Sequence, residues 1–307
     1  MPELSERDLA VLWHPATHFD DARALPPVPI VRAQGVWLHT GDGRAILDGI
    51  SSWWTSVHGH GHAAIVAAVR DQVERLDHVM FAGFTHAPAI ELAEGLVRAA
   101  PLDAGGERAY GKVFFAESGS DAIEVALKLA FQYHGNRDAP RRRFATLDRG
   151  YHGETLGALA LCGSALYRAP FEPLLHPALV LPAPQTLDHE HDALATDDGA
   201  DAPETERAIA LVEAHADELA ALVVEPVVQC AGQFAMPGVG FYRRLVEAAQ
   251  RCGVLVVADE IAVGFGRTGK LFASEWAGVV PDLLCLGKGL SGGALPLSAV
   301  LVRAGLE

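Results

Sequence analysis

The sequence has few cysteines. There are four, they stand far apart, and no two form a CxxC pair (Cys162, Cys230, Cys252 and Cys285). Disulfide-rich scaffolds and structural zinc sites both need closely spaced cysteines. The spacing therefore argues against both and predicts reduced core residues of a cytoplasmic protein.

Long apolar runs and clusters of positive charge are also scarce. No apolar run reaches the roughly 18 residues that a membrane span requires, and residues 1–8 are too polar for a signal peptide. Lysine and arginine number 24 against 39 aspartates and glutamates, so the formal net charge is −15. This charge disfavours nucleic acid as a main partner. We expect neither a nucleic acid nor a membrane as partner.

What the sequence does contain is a lysine placed just after a short apolar run near its end. Leu283–Leu286 predicts a buried strand, and Lys288 follows it in a loop of Gly and Ser. Small neighbours let a flat ligand approach closely, and a desolvated lysine has a lowered pKa that suits it to form a Schiff base. A surface lysine in a turn fits this stretch equally well.

A second stretch favours the chemical interpretation of this lysine. Residues 254–258 predict a fully buried strand of a parallel sheet, and the acids Asp259 and Glu260 follow it. Ligands bind at the carboxyl ends of such strands. Pyridoxal phosphate needs a lysine for its aldehyde and an aspartate that keeps its pyridine nitrogen protonated. Asp259 and Lys288 together therefore predict a pyridoxal-phosphate site.

Strand and helix patterns alternate from residue 112 to residue 303, which predicts an α/β fold with a mostly parallel sheet. Helices are expected over 87–99, 208–219 and 239–251, and strands over 143–147 and 220–224, the latter ending at the acid Glu225. We expect residues 1–60 to be an N-terminal arm and hairpin segment and residues 61–307 to be a pyridoxal-phosphate-binding large domain. The arm is expected to be irregular over 1–34 and the hairpin to cover 35–49.

Three other stretches lie between these elements. Residues 117–121 join a strand to a helix and fit either an anion site at the helix start or plain N-capping. Residues 150–153 place Tyr151 between glycines, in a tight loop where a ring can cover a flat cofactor. The acidic residues 182–206 are expected to form a solvated surface loop without chemistry.

Two motifs suggest other functions but fit them poorly. His58, His60 and His62 alternate with glycine, whereas metal sites favour histidines on a rigid element with a further ligand nearby. Residues 264–270 match the first seven positions of a P-loop, but Leu271 stands where a Ser or Thr would hold magnesium. We therefore expect neither a metal hydrolase nor a nucleotide triphosphatase.

The motifs taken together resemble the class III, fold type I aminotransferases that depend on pyridoxal phosphate. The resemblance runs from about residue 12 to the end and is carried by five segments, 118–120, 150–153, 258–261, 264–269 and 286–288. Two more segments, 48–54 and 85–92, resemble the branch of the family that acts in biotin synthesis. The resemblance implies the fold type I large domain, with the small C-terminal domain largely absent.

The resemblance also implies roles for individual residues in binding the cofactor. Lys288 is expected to form the Schiff base with pyridoxal 5'-phosphate and then to move a proton between substrate and cofactor carbons. Asp259 is expected to hold the ring nitrogen, and these two residues form the catalytic set. Gly119 and Ser120 are expected to bind the phosphate, and Tyr151 completes the cofactor site.

The substrates follow from the same resemblance. S-adenosylmethionine is the implied amino donor, and 8-amino-7-oxononanoate is the implied acceptor, giving 7,8-diaminononanoate. Trp53 and Tyr151 are expected to line the substrate pocket with Lys288. The resemblance further implies a homodimer.

The chain departs from the family pattern at two places. Ala16 stands where the family has a tyrosine of the substrate pocket, which leaves another donor, such as a diamine or lysine, as an alternative. The chain also ends at Glu307, whereas the family continues into a small domain that supplies a phosphate contact and an arginine for the substrate carboxylate. We therefore expect a fragment or a truncated product, with poor solubility or weak activity of its own, and a non-catalytic remnant is a further alternative.

Overall fold

The structure is a computed structural model that describes residues 3–184, 194 and 198–307. The chain forms two compact units, Met1–His78 and Val79–Glu307. The functional division predicted at residues 60 and 61 stays a prediction. About half of the acidic stretch expected to be a surface loop, residues 185–193 and 195–197, falls outside the described residues. No helix within the described ranges has the length and apolar character that crossing a membrane would take.

The first unit contains a small antiparallel sheet and four helical segments. The strands pair in the order β1-β2-β3, where β1 is Ile30–Gln34, β2 is Trp37–Thr40 and β3 is Ala45–Leu47. The helical segments are α1 (Leu4–Val11), α2 (Phe19–Ala24), α3 (Ser51–Trp54) and α4 (Ala63–Arg75). Trp37 pairs with Leu47 across β2 and β3, so the hairpin predicted over 35–49 is confirmed.

The prediction of an irregular arm over residues 1–34 is wrong for much of its length. The segments α1, α2 and β1 occupy it, and regular structure is missing from the proline-rich residues 26–29. At the start of α1, the Glu3 backbone N–H donates to Glu6 Oε2 over 3.2 Å. Such caps stabilise short helices that have no long apolar periodicity, which is why the pattern alone did not indicate them.

The segment α3 is unusual because its backbone is left-handed. The φ angles of its four residues, Ser51 to Trp54, are +50°, +46°, +64° and +66°, and none of them is glycine. This conformation costs an L-amino acid roughly 1–2 kcal/mol per residue. The turn nevertheless closes a hydrogen bond from Trp54 N to Ile50 O over 2.9 Å. A turn of this kind persists where neighbouring groups hold it in place.

The second unit is built on a sheet of seven strands. These are β4 (Tyr110–Ala116), β5 (Arg143–Leu147), β6 (Leu179–Leu181), β7 (Leu219–Val224), β8 (Leu255–Asp259), β9 (Leu283–Leu286) and β10 (Ser298–Arg303). They lie in the order β4-β10-β9-β8-β7-β5-β6. β10 runs antiparallel to both of its neighbours, whereas the other adjacent strands are parallel. The predicted mostly parallel sheet is confirmed.

Helices connect these strands. They are α5 (Ala87–Ala99), α6 (Gly119–Gly135), α7 (Leu156–Ala160), α8 (Ala165–Arg168), α9 (Pro203–Ala214) and α10 (Val239–Arg251), with 3-10 turns at Ala169–Leu174, Ala273–Trp276 and Lys288–Leu290. The helices predicted over 87–99 and 239–251 are confirmed. The one predicted over 208–219 instead begins at Pro203 and ends at Ala214. Pro203 suits a first helical turn, so residues 203–206 of the expected acidic loop are helical.

The sheet is buried on both faces, which explains the continuous apolar runs of its strands. Val257 on β8 belongs to a core cluster that includes Ile123 of α6. The next residue, Ala258, belongs to a second cluster with Leu284 and Phe272. Successive side chains of a strand point to opposite faces, so both clusters hold the same strand in register. This packing fixes where the carboxyl end of β8 lies.

We expect Leu284→Ala to lower the free energy of unfolding by about 2–5 kcal/mol, because it opens a cavity beneath a fully buried strand. Unfolding in urea followed by circular dichroism measures the change. Leu102→Ala is the matched control, since Leu102 is largely exposed in the loop after α5. Equal losses in the two variants would contradict the core assignment.

Candidate active site

The structure brings Asp259 and the Lys288 turn to the same edge of the sheet. Asp259 is the last residue of β8 and is buried. It pairs in register with Cys285 on the adjacent parallel strand β9. Just beyond the end of β9, Lys288 opens a 3-10 turn with a φ of +42°. The two residues that the sequence paired therefore follow neighbouring strands.

A buried histidine orients the carboxylate of Asp259. His152 Nδ1 lies 2.7 Å from Asp259 Oδ2, and Ile261 N donates to Asp259 Oδ1 over 3.1 Å. An ionised carboxylate only accepts hydrogen bonds, so Nδ1 is the donor. His152 Nε2 lies 3.3 Å from the hydroxyl of Thr146, a buried residue of β5. The carboxylate is thus fixed from both sides.

Sequence reasoning did not place His152 in the site. It noted the histidine only as part of the tight loop at 150–153. The available signal was its position just after β5, a parallel strand whose carboxyl end meets the same sheet edge as that of β8. A histidine at such an edge is a candidate partner for an acid that follows another strand.

A second buried acid, Glu225, lies between these strands. It follows β7 and accepts hydrogen bonds from the backbone N–H groups of Tyr151 (3.1 Å) and Cys230 (3.0 Å). Burial raises the pKa of Glu225 to about 7; His152 opposes the rise, and Asp259 adds to it. Glu225 thereby ties the loop that bears Tyr151 to the edge of the sheet. The sequence indicated an acid at a strand end but no role for it.

Glu260, which follows Asp259 in the sequence, makes different contacts. Glu260 is fully buried and accepts hydrogen bonds from Ala273 N (2.8 Å), Ser274 N (2.7 Å) and Ser274 Oγ (2.8 Å). Burial raises the pKa of Glu260 to about 7 despite these hydrogen bonds. Glu260 therefore anchors the 3-10 turn at Ala273–Trp276, while Asp259 faces His152.

The charges around Cys230 show which groups converge near the site. Burial raises the pKa of the Cys230 thiol to about 12, and the charge of Glu225 adds to the rise. Lys288 opposes it, Asp259 adds a smaller contribution and Arg267 opposes it too. The charges of Lys288, Glu225, Asp259 and Arg267 therefore all influence the pKa of the same buried thiol.

The start of α6 combines a capping box with exposed helix-start amides. Asp121 N donates to Ser118 Oγ over 3.3 Å, and Ser118 N donates to Asp121 Oδ2 over 3.0 Å. Gly119 and Ser120 are the first two residues of α6. The first N–H groups of a helix have no partner within it and suit an anion. Capping and anion binding, which the sequence offered as alternatives, are therefore compatible.

The Tyr151 loop packs directly against this helix start. Glu154 N donates to Ser120 Oγ over 3.2 Å, and the Tyr151 hydroxyl donates to Glu154 Oε1 over 3.1 Å. At Gly153, where φ is +127°, a Cβ would lie 2.1 Å from Ser120 Oγ, so the approach requires glycine. The centre of the Tyr151 ring lies 4.9 Å from that of the Tyr167 ring, and the two rings are tilted by 58°. Tyr151 and Ser120 are thus held together.

Trp53 belongs to the first unit, where it lies on the left-handed turn α3. It is 68% exposed, so its indole is available to a ligand. Its predicted role in substrate binding stays a prediction.

The two motifs that suggested other functions have contacts of their own. Lys270 donates to the Glu275 carbonyl over 2.9 Å and lies 4.7 Å from the centre of the Trp276 ring. The P-loop-like segment is therefore held by a structural contact and runs into a 3-10 turn. His60 bonds to Asp48 over 2.8 Å. Within the described residues, no three His, Cys, Asp or Glu side chains group as a metal ion requires.

Comparison with known proteins agrees with this geometry. Residues 19–307 match the family model described as "Aminotransferase class-III". The chain belongs to the class III aminotransferases, which depend on pyridoxal phosphate.

Similarity to individual proteins is more specific. The chain is 44% identical to the adenosylmethionine-8-amino-7-oxononanoate aminotransferase of Synechococcus elongatus, over 94% of this chain and 64% of that protein. A protein of the same name from Nitratidesulfovibrio vulgaris is also 44% identical, over 97% of this chain and 54% of its own length. A crystal structure of the Methanocaldococcus jannaschii protein of that name superposes with a TM-score of 0.86 at 33% identity, covering 99% of this chain and 66% of that one. The chain thus spans less than two thirds of these curated relatives.

The residues at the sheet edge fit pyridoxal phosphate. A buried carboxylate is available for the ring nitrogen, helix-start amides for the phosphate and a lysine for the aldehyde. Close packing explains the small residues around them: a Cβ on Gly119 or on Gly287 would lie 3.1 Å from Ile261. The donor set and the shape of its surroundings therefore match the cofactor on which this family depends.

We expect His152→Ala to weaken binding of pyridoxal phosphate about tenfold, because Asp259 loses the hydrogen bond that orients it. Titration of the protein with cofactor, followed by absorbance, measures the affinity. His134→Ala is the control, since this buried histidine bonds instead to the Ala220 carbonyl. Unchanged affinity in His152→Ala would contradict the assignment of Asp259 as the ring partner.

A pH effect on stability follows from the raised pKa of Glu260. Since the pKa of Glu260 is about 7 in the folded protein, it keeps its proton there up to about pH 7, whereas the unfolded chain loses it near the ordinary glutamate pKa of 4.5. The stabilisation is therefore full below 4.5 and is lost as the pH rises through 7, by up to about 3 kcal/mol. We expect Glu260→Gln to gain stability relative to the parent between pH 5 and pH 8, as measured by urea unfolding without cofactor.

Glu94→Gln serves as the control for this comparison, because the Glu94 side chain is exposed on α5. Its stability should follow that of the parent across the same pH range. A constant difference between Glu260→Gln and the parent would argue that Glu260 is ionised in the folded protein.

Proposed function

We propose that this protein transfers the amino group of S-adenosylmethionine to 8-amino-7-oxononanoate and so makes 7,8-diaminononanoate for biotin synthesis. The observation that carries the proposal is the Asp259–His152 pair at the end of β8, beside the strand that leads to Lys288. The names of the similar proteins supply the substrates. Bound pyridoxal phosphate supplies an electron sink that lets an amino group leave one carbon skeleton and enter another.

Asp259 has the position and the partners for holding a protonated ring nitrogen. It is buried, so its charge acts at low effective dielectric, and two hydrogen bonds keep its oxygens in place. The helix-start amides of Gly119 and Ser120 offer the phosphate a favourable partial positive charge. These contacts fix the cofactor at both ends.

Lys288 is suited to bind the aldehyde carbon and then to carry a proton at its Nζ. Glycines flank it on both sides, and a Cβ on Gly289 would lie 3.0 Å from Phe265. A side chain at position 289 would therefore crowd Phe265, which explains the glycine beside Lys288. With the cofactor bound, Lys288 Nζ would be the group that holds the proton moved between substrate carbon and cofactor carbon.

Tyr151 and Trp53 are the residues that we propose for the substrate pocket. Tyr151 is held by Glu154 and by a tilted contact with the Tyr167 ring, so it presents a fixed ring. Ala16, in place of the family tyrosine, favours a second candidate in which a diamine or lysine is the donor. A smaller residue leaves more space and removes a hydroxyl, which changes which amine fits.

We also propose a cytoplasmic homodimer. All four cysteines are free thiols, which suits a reducing compartment. Exposed apolar side chains on the second unit, including Leu166, Phe171 and Leu174, fit burial against another subunit.

The test of the cofactor assignment is an absorbance spectrum of the purified protein with added pyridoxal phosphate. We expect a visible band from the lysine-bound cofactor in the parent and no such band in Lys288→Ala. Lys270→Ala, which removes the lysine of the neighbouring loop, should keep the band. Soluble, folded parent protein without a band would contradict cofactor binding by this chain and favour a non-catalytic remnant.

The donor is tested by the same spectrum. S-adenosylmethionine should remove the visible band as the amino group is transferred to the cofactor. A diamine and lysine are added in its place to separate the two candidates. A band that responds only to the diamine or to lysine would overturn the proposed donor while leaving the reaction class intact.

A further inference from the structure

The carboxylate of Asp48 makes three hydrogen bonds beside the left-handed turn α3. Asp48 stands between β3 and α3. Its Oδ1 accepts Ser52 N over 2.8 Å, and its Oδ2 accepts Ser52 Oγ over 2.7 Å. The same Oδ2 lies 2.8 Å from His60 Nε2. One carboxylate therefore joins the turn to a residue that follows it in the chain.

The burial and charge of this group suit it to hold the turn. The Asp48 side chain is 6% exposed. Hydrogen bonds from Ser52, the backbone one foremost, hold the pKa of Asp48 below its usual range, so it is ionised at neutral pH and His60 Nε2 donates to it. His60 is itself anchored by two backbone hydrogen bonds with Gly35, of 2.7 and 2.9 Å.

The turn needs such a group because its backbone conformation is unfavourable. Its four consecutive residues have positive φ without a glycine among them. Ser52 is fixed at its amide and hydroxyl by Asp48 and at its carbonyl by the Thr55 hydroxyl, over 2.9 Å. The residue after Ser52 is Trp53, whose exposed indole takes its direction from the turn.

We propose that Asp48, together with His60, is a positioning residue that holds Ser51–Trp54 in the left-handed turn and thereby sets the direction in which Trp53 meets the amine substrate. The contact between Trp53 and substrate rests on the proposed function; the hold on the turn does not. Without Asp48 the four residues relax toward ordinary right-handed or extended backbone. The indole then points elsewhere, and substrate binding weakens while the cofactor site is unaffected.

The first experiment measures the conformation of the turn and does not depend on enzymatic activity. Near-ultraviolet circular dichroism of the parent minus that of Trp53→Phe isolates the signal of Trp53. The same difference is then taken in an Asp48→Ala background. We expect the Trp53 signal to be largely lost there and to survive in an Asp42→Ala background, because Asp42 is an exposed acid at the β2–β3 turn. An unchanged signal in Asp48→Ala would overturn the proposal.

A glycine placed in the turn provides a second test of the proposal. Glycine adopts positive φ without steric cost, so adding Ser51→Gly to Asp48→Ala should recover part of the Trp53 signal. Ser51 is chosen because the hydrogen bonds to Asp48 come from Ser52 and His60. A lost signal that glycine does not recover would show that Asp48 acts otherwise than through the backbone of this turn.

The kinetic experiment tests the consequence for substrate. We expect Asp48→Ala to raise KM for the amine substrate about tenfold, with kcat and the visible cofactor band nearly unchanged. Loss of the cofactor band together with activity, or an unchanged KM, would overturn the positioning role. If the parent itself transfers no amino group, the proposed function fails, and the dichroism experiment still decides the hold on the turn.

Ser52→Ala keeps the question answerable should Asp48→Ala fail to fold. It removes only the hydroxyl donor and leaves the backbone hydrogen bond to Asp48. We expect it to change KM and the Trp53 signal in the same direction as Asp48→Ala but by less. A folded Ser52→Ala variant with neither change would count against the proposal.

Discussion

The hydrogen bond between Asp259 and His152 is the interaction on which the rest of the site depends. A buried carboxylate is costly unless charged or hydrogen-bonding partners surround it. His152 and the Ile261 amide supply these partners, but His152 reaches Asp259 only because the loop after β5 folds back over β7. Glu225 holds that loop through the Tyr151 amide. The positions of Asp259, Tyr151 and the start of α6 are therefore set together.

Two adjacent acids at one strand end perform different work because a strand alternates its side chains. Asp259 points toward His152, whereas Glu260 points to the 3-10 turn that follows the Gly-rich loop. Burial raises the pKa of Glu260 while three hydrogen bonds hold its carboxyl group in place. Asp259 thus faces the histidine, and Glu260 stabilises the turn that follows the loop carrying Arg267. Because side chains alternate along a strand, two acids that are adjacent in the sequence make contacts on opposite sides.

The strained backbone of α3 bears an exposed tryptophan, Trp53. An exposed tryptophan on an ordinary flexible loop would sample many directions. A left-handed turn clamped by a buried carboxylate restricts those directions, at the cost of an unfavourable backbone conformation. The turn belongs to the first compact unit, whereas Asp259 and Lys288 belong to the second.

The sequence by itself determined the elements whose burial leaves a periodic or continuous apolar pattern. β5, β9, α5 and α10 have the bounds that the pattern predicted, and the acid and the lysine that follow β8 and β9 stood out because charge interrupts those runs. Only the tertiary structure decided which distant residues meet. His152 finds Asp259 across 107 positions, and β10 enters antiparallel between β4 and β9. Strand order and register control such contacts, and neither is written in the local periodicity of a chain.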